Sequence, residues 1–343
     1  MRCLVVGVLV AGACSASHEA APGDGSHPID GPVSTGSDAG TADAAWDWQP
    51  LISNNWSMAA GQSGIKCETM PITQEMWIDG FRPAAAMDPA NDHQFVIVTP
   101  DTGCDVMRPL NPEDELIYAA GLGSDASDAQ LAFPAGIAVH VTPKNAANQS
   151  LNLVLYDHIS NEGATPITGT SAIEVHTVAD PTTVVHEVDM VLAGQSNFMA
   201  PANDAPYTTT PGACFPTTAD GYQWHLVALW PHMHESGTHL TVSIAGQATS
   251  VYDADYHYQH EGTYLLPDTL VDTGVELDVS CTLTNANPVA LTYDEYIPEP
   301  DGKTVCWTGL YKYPTGTDPN KTGHTPYGPE ACVAGTGVSL PVQ

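Results

Sequence analysis

Proline and glycine interrupt nearly every stretch of ten residues in this 343-residue chain, which holds 30 glycines and 28 prolines. An amphipathic helix needs an unbroken apolar periodicity near 3.6 over about ten residues or more, and helix-breaking residues at this density leave no such run. The segments between breaks alternate or are rich in β-branched residues, so they read as short strands. Strands are expected over 94–99, 136–141, 151–158, 172–178 and 184–192, and again over 224–234, 239–244, 275–283 and 305–313. In the last turn-and-strand but one, Val275, Leu277, Val279, Cys281 and Leu283 all fall on one face, as side chains two apart in a strand do. Many short strands with dense turns predict an all-β protein of sandwich or barrel type. No long-period repeat is visible, and the natural seam falls near Asp180-Pro181.

The first residues predict export. Arg2 is followed by apolar and small residues from Cys3 to Ala13, then Cys14-Ser15. A charged start, a short apolar run and a small-residue exit describe a secretory signal. The run is too short for a bilayer-spanning helix, which takes roughly 20 apolar residues. Ala11-Gly12-Ala13-Cys14 is similar to a bacterial lipobox, so residues 1–14 are expected to be removed or lipidated at Cys14. The expected location is a periplasmic or cell-surface membrane anchor, with free secretion as the alternative. Residues 15–46 are dominated by Ala, Gly, Ser, Asp and Pro. Such a segment cannot bury enough apolar surface to offset its ordering entropy and reads as a tether.

Charge narrows the partners. Eight Lys+Arg face 40 Asp+Glu, a net charge of −32, which excludes nucleic acid as a ligand and leaves the lipid anchor as the sole expected membrane contact. With Cys3 and Cys14 set aside, Cys67, Cys104, Cys214, Cys281, Cys306 and Cys332 remain. An even number in an exported chain implies three disulfides, with the pairing open from sequence alone. None forms a C-x-x-C pair, which disfavours thiolate zinc sites and dithiol redox chemistry.

Histidine is the residue type with the most to say about chemistry. Among fourteen, His232 and His234 lie two apart in Trp230-Pro-His-Met-His234; on a strand both imidazoles point the same way and can reach one metal ion. A chain this rich in histidine also produces such a pair by chance. His93 opens an apolar strand, and His158 ends another, Leu151-Asn-Leu-Val-Leu-Tyr-Asp-His158. There is no G-x-S-x-G elbow and no glycine-rich phosphate loop.

The order of these pieces resembles the ascorbate-dependent type II copper monooxygenases, the family of peptidylglycine- and dopamine-β-hydroxylating enzymes. Phe81-Arg-Pro through His93-Gln-Phe-Val-Ile-Val is similar to the family's first copper motif, and Leu153-Val-Leu-Tyr-Asp-His158 to the block with the third ligand of that copper. Between them stand Ile117-Tyr-Ala-Ala-Gly and Phe133-Pro-Ala-Gly-Ile-Ala-Val. His232-Met-His234 with Gly237 resembles the second copper's His-x-His, and Cys281-Thr-Leu-Thr-Asn, Val305-Cys306 and Tyr311-Lys-Tyr-Pro resemble the closing segment. The resemblance runs from about Cys67 to Cys332.

It implies two tandem antiparallel, jelly-roll-like β-sandwich domains, 47–180 and 181–343, each with one copper. It further implies the pairs Cys67–Cys104, Cys281–Cys306 and Cys214–Cys332, the ligands His93, His158, His232 and His234, and a monomer acting on a small molecule or peptide. The implied reaction is hydroxylation of a substrate carbon with O2 and an ascorbate-type reductant. The ligand set departs from the family's. Gln94 stands where the family has a second adjacent histidine, and Val305 where it has a methionine; Trp230 and Gly309 replace its substrate-gripping arginine and tyrosine. Gln94, Met87, His239, Met233 and His225 are the conceivable substitute ligands. Two further readings stand beside this one: a non-catalytic extracytoplasmic copper-binding lipoprotein, and a structural or carbohydrate-binding β-protein using Trp224 and Trp307.

Overall fold

All nine expected strands are present in the computed structural model, which describes residues 46–101, 104, 114–121, 129–203, 206–214, 223–293, 302–315 and 331–334. Eight are single strands; the segment 184–192 is divided at Val188 into His186–Glu187 and Asp189–Gln195. The described residues contain no α-helix, and the one helical turn is a 3-10 turn at Pro181–Thr183. Its Asp180 carboxylate accepts the Thr182 amide, the usual capping contact at such a turn.

The strands assemble into five sheets. One runs Gln49–Met58, Ile167–Thr177, Met76–Pro83, Ile137–Val141, His186–Glu187, with Leu131–Ala132 beside Met76–Pro83. A four-stranded sheet runs Gln62–Pro71, Asn152–Asn161, Asn91–Thr99, Glu115–Gly121. A five-stranded sheet runs Tyr264–Val271, Trp224–Met233, Cys306–Pro314, Asp189–Gln195, Ala331–Ala334. Another holds Leu277–Thr284 and Gly237–Ile244 at its centre, and three short strands near Met199, Leu291 and Lys303 make the last.

The expectation of two tandem jelly-roll-like sandwiches is therefore corrected. Five sheets replace it, and the sheet centred on Cys306–Pro314 is covered on both faces rather than closing one sandwich. Every position of Cys306–Pro314 and of Asp189–Gln195 is buried. Trp307, Tyr311, Tyr313, Met190 and Trp230 join Val96, Ile117 and Phe133 in one apolar cluster. From the other face Cys306, Leu310, Val191 and Ala193 join Leu240, Val279 and Leu283 in a second. The Tyr311 hydroxyl donates to the Ile117 carbonyl, 3.4 Å away, so the shared sheet touches the Glu115–Gly121 strand directly. A strand apolar at both parities is the pattern of one buried on both faces. Leu277–Thr284 shows the other pattern, strictly alternating, with Leu277, Val279, Cys281 and Leu283 inward.

Among the described residues, two disulfides staple this framework. Cys67–Cys104 ties the Gln62–Pro71 strand to the segment after Asn91–Thr99, with 5.9 Å between Cα atoms. Cys281–Cys306 joins the two sheets that enclose the second cluster, at 5.7 Å. Each closes a loop of a few tens of residues, a constraint on the unfolded chain of about 2–4 kcal/mol. Cys14 lies outside the described residues, and the Cys214–Cys332 pairing falls on side chains that the structure does not describe.

Candidate functional site

His93 and His158 are direct partners across the antiparallel ladder between Asn91–Thr99 and Asn152–Asn161. Direct partners project to the same face, and their rings stand 5.0 Å apart. A register shift between Asn91 and His93 gives the strand a local bulge just where the histidine is aimed. His232 is next to last in Trp224–Met233 and His234 follows it, with 5.7 Å between rings. The two pairs meet: the His232 ring lies 4.8 Å from His93. All four are buried, His232 completely. The resemblance implies two separate copper sites, each with its own histidines; the fold places all four imidazoles in one cluster.

A carboxylate sits inside this cluster because a glycine leaves room for it. Gly121 faces His93 across the ladder, and a Cβ on Gly121 would lie 1.7 Å from Glu261 Oε2. Glu261 Oε2 is 3.0 Å from His232 Nδ1, with neither side chain exposed. The Tyr256 hydroxyl donates to the other oxygen of Glu261 and accepts the Met233 amide at 3.0 Å. Facing a carboxylate, Nδ1 of His232 carries the proton, and Nε2 is the lone-pair nitrogen.

His158 Nε2 is hydrogen-bonded to Ser63 Oγ at 3.1 Å, while Nδ1 faces Asp92 Oδ2 at 3.5 Å. Burial is the main influence on every charge here. It pushes His158 down to about 4, with the nearby His232 adding to the effect. It holds His93 and His234 well below the usual imidazole range, helped by the neighbouring rings. Burial likewise raises Asp92 to about 7, against the lowering effect of a Tyr258 hydrogen bond. Burial thus favours the uncharged form of His93, His158 and His234, the form in which histidine ligates metal.

An aromatic wall closes one side. Trp230 lies nearly parallel to His232 at 4.9 Å, Trp307 is 4.6 Å from the same ring, and Phe95 is 4.8 Å from His93. Trp224 and Trp307, read from sequence as exposed binding aromatics, are 1% and 2% exposed; that expectation is corrected, because both belong to apolar clusters. Val305 is fully buried. Gly309 lies opposite Trp230, and the Met190 sulfur occupies the space where a Gly309 Cβ would come within 2.7 Å.

None of the substitute ligands joins the rings. Gln94 is buried, but as the next residue along the strand it projects away from His93, opposite Asp157. Met87 packs in the first apolar cluster and Met233 in the second. His225 stacks on Tyr313 and pairs with Asp268. His239 is a surface residue held between Asp253 and Asp255. Sequence reasoning missed Glu261, Asp92, Ser63 and Tyr256. The one available signal was the polar, aromatic run Tyr256-His-Tyr-Gln-His-Glu261 between strands.

Among the described residues, no three His, Cys, Asp or Glu side chains converge in an arrangement that would hold a metal ion. The imidazoles are close in pairs, but the described geometry does not aim three of them at one point. The donor chemistry nonetheless suits a metal that accepts imidazole nitrogen, since four rings lie close together and two carboxylates back them.

No protein-family model matches this chain, and no curated protein does. Among solved structures, the major capsid protein P2 from bacteriophage PM2 is 10% identical, covering 80% of this chain and 100% of that one, with a TM-score of 0.31. A likeness at that level carries no conclusion about fold or function.

Proposed function

We propose that this chain is an extracytoplasmic copper-binding protein of the ascorbate-dependent monooxygenase type, with the His93–His158 and His232–His234 pairs as its metal-holding side chains. The observation that carries this reading is the meeting of two buried histidine pairs from different sheets. Imidazole alone suits zinc, copper, iron or nickel; the collinear resemblance favours copper. When bound, copper would supply one-electron redox cycling and activation of O2 toward a substrate carbon. The residues of the chain do the rest: Glu261 fixes the tautomer of His232, Ser63 and Asp92 orient His158, and Trp230, Trp307 and Phe95 keep water from the rings. The disulfides fit an oxidising compartment, in keeping with export and an anchor at Cys14.

A second reading, copper binding without catalysis, is favoured by the enclosure of the centre. His93 and His232 are essentially inaccessible, and Trp230, Val305 and Gly309 fill with packing the positions at which the resemblance expects substrate- and copper-gripping side chains. Elemental analysis of purified protein and of His158→Ala and His232→Ala variants tests the shared reading. Copper retained by wild type and lost from both variants supports it, whereas copper-free wild type after loading removes it. Ascorbate-dependent O2 uptake by loaded protein separates the two: uptake stimulated by an added peptide or phenethylamine-type substrate supports catalysis, and its absence supports binding alone.

A further inference from the structure

The shared sheet contains a charged pair with no part in the histidine cluster. Asp189 and Lys312 are direct partners across the antiparallel ladder between Asp189–Gln195 and Cys306–Pro314. Lys312 Nζ contacts Asp189 Oδ1, and their side chains are 3% and 8% exposed, respectively. Both project into the second apolar cluster, on the face that carries Leu310 and Cys306 on one strand and Val191 and Ala193 on the other. The Trp224 ring, 1% exposed, lies 5.1 Å from Nζ. Only eight residues of this chain are Lys or Arg, against 40 acids, yet one of the eight is placed in the interior rather than at the acidic surface.

An ion pair at such a position is a poor source of stability, because the dehydration of two charges offsets their attraction. The reaction needs an unprotonated amine, and the contact between Nζ and Oδ1 lets the ammonium pass a proton to the carboxylate as its first step. Register and burial then hold the amine nitrogen against the acid and exclude water, the condition under which an intramolecular reaction is strongly favoured over its bimolecular counterpart. We propose that Lys312 and Asp189 form an intramolecular isopeptide bond. The Nζ lone pair attacks the Asp189 side-chain carboxyl carbon, an N–C bond forms and a C–O bond breaks. The departing hydroxyl takes a second proton from nitrogen and leaves as water. Ammonium and carboxylate thus become one amide and one water, with no oxidant, reductant or cofactor required. The neutral amide stays in its apolar surroundings and fastens the middle strand of the shared sheet to its neighbour Asp189–Gln195. The Cys281–Cys306 disulfide lies at the far end of the same Cys306–Pro314 strand.

The test is a peptide map of the full chain after denaturation, reduction and alkylation. A peptide containing Asp189 joined to one containing Lys312, lighter by one water than the two together, is the expected result, with cleavage by trypsin after Lys312 lost. Lys312→Met and Asp189→Ala proteins should yield only the linear peptides. Quantitative recovery of wild-type Lys312 with a free ε-amine, reactive to an amine label and cleaved by trypsin, overturns the proposal. The wild-type map decides the matter even if either variant does not fold.

Discussion

The histidines of the cluster and those of the surface differ in their company. His140 meets Glu75 at 2.7 Å, His176 meets Asp79 at 2.6 Å, His225 meets Asp268 at 2.7 Å and His239 meets Asp253 at 2.6 Å. Each of these pairs is partly solvated, so its electrostatic contribution is small and screened by salt. His93, His158, His232 and His234 instead have one another's rings as neighbours, with Glu261 and Asp92 as the carboxylates close at hand. A chain with a net charge of −32 can supply an acid to any exposed histidine at little cost. Withholding water from four imidazoles takes three strand positions and the residue after one of those strands, a glycine and three large aromatic rings. The difference teaches that abundance of histidine says little, while burial among other imidazoles marks the group that can ligate a metal.

The sharpest way to break this contrast is to exchange the two kinds of histidine as targets. His93→Ala should abolish copper retention through desalting, while His239→Ala should leave it intact; equal copper content in the two would erase the distinction. Glu261→Gln should weaken copper binding by about 10- to 100-fold, the usual consequence of losing the partner that orients a ligating histidine. Competition with a chelator of known affinity measures this, and an unchanged constant would mean that Glu261 does not set the His232 tautomer. Gly121→Ala should destabilise the protein by about 2 kcal/mol in urea unfolding, since the added methyl must displace a buried carboxylate.

The smallest effect belongs to the surface. For His239, partial burial lowers the pKa, but the hydrogen bonds to Asp255 and Asp253 outweigh it and raise the value above the ordinary one. A raised imidazole pKa contributes stability that is fully present below the unfolded value and is lost as pH rises through the folded one. His239→Ala should therefore cost no more than about 0.5 kcal/mol at pH 5.5 and less at pH 8.5, as exposed pairs do. A larger or oppositely signed pH dependence in thermal melts would show that this residue does more than sit on the surface.

The strands at Leu277–Thr284 and Asn152–Asn161 were legible because period-two patterning and β-branched runs report burial directly. Less legible was the strand Gln62–Pro71, whose mixed residues, from Lys66 and Glu68 to Ile65 and Cys67, have no clean alternation. The partnership of Cys67 with Cys104 and of Cys281 with Cys306 agreed with what the resemblance implied. The double-sided burial of Cys306–Pro314 was written in its apolar residues at both parities, yet a single strand does not name the sheets that will cover it. Glu261 had only the polar, aromatic run before it as a local mark, since its meaning depends on a glycine 140 residues away.

Local pattern thus determined the elements: most strands, and the lack of α-helix among the described residues, follow from short-range sterics and from apolar spacing. Tertiary structure alone decided that one sheet would be shared by two cores, that His93 and His158 would face His232, and that Glu261 would occupy the space left by Gly121. These depend on long-range register, and a slip of one residue in any of the strands would turn its histidine to the opposite face.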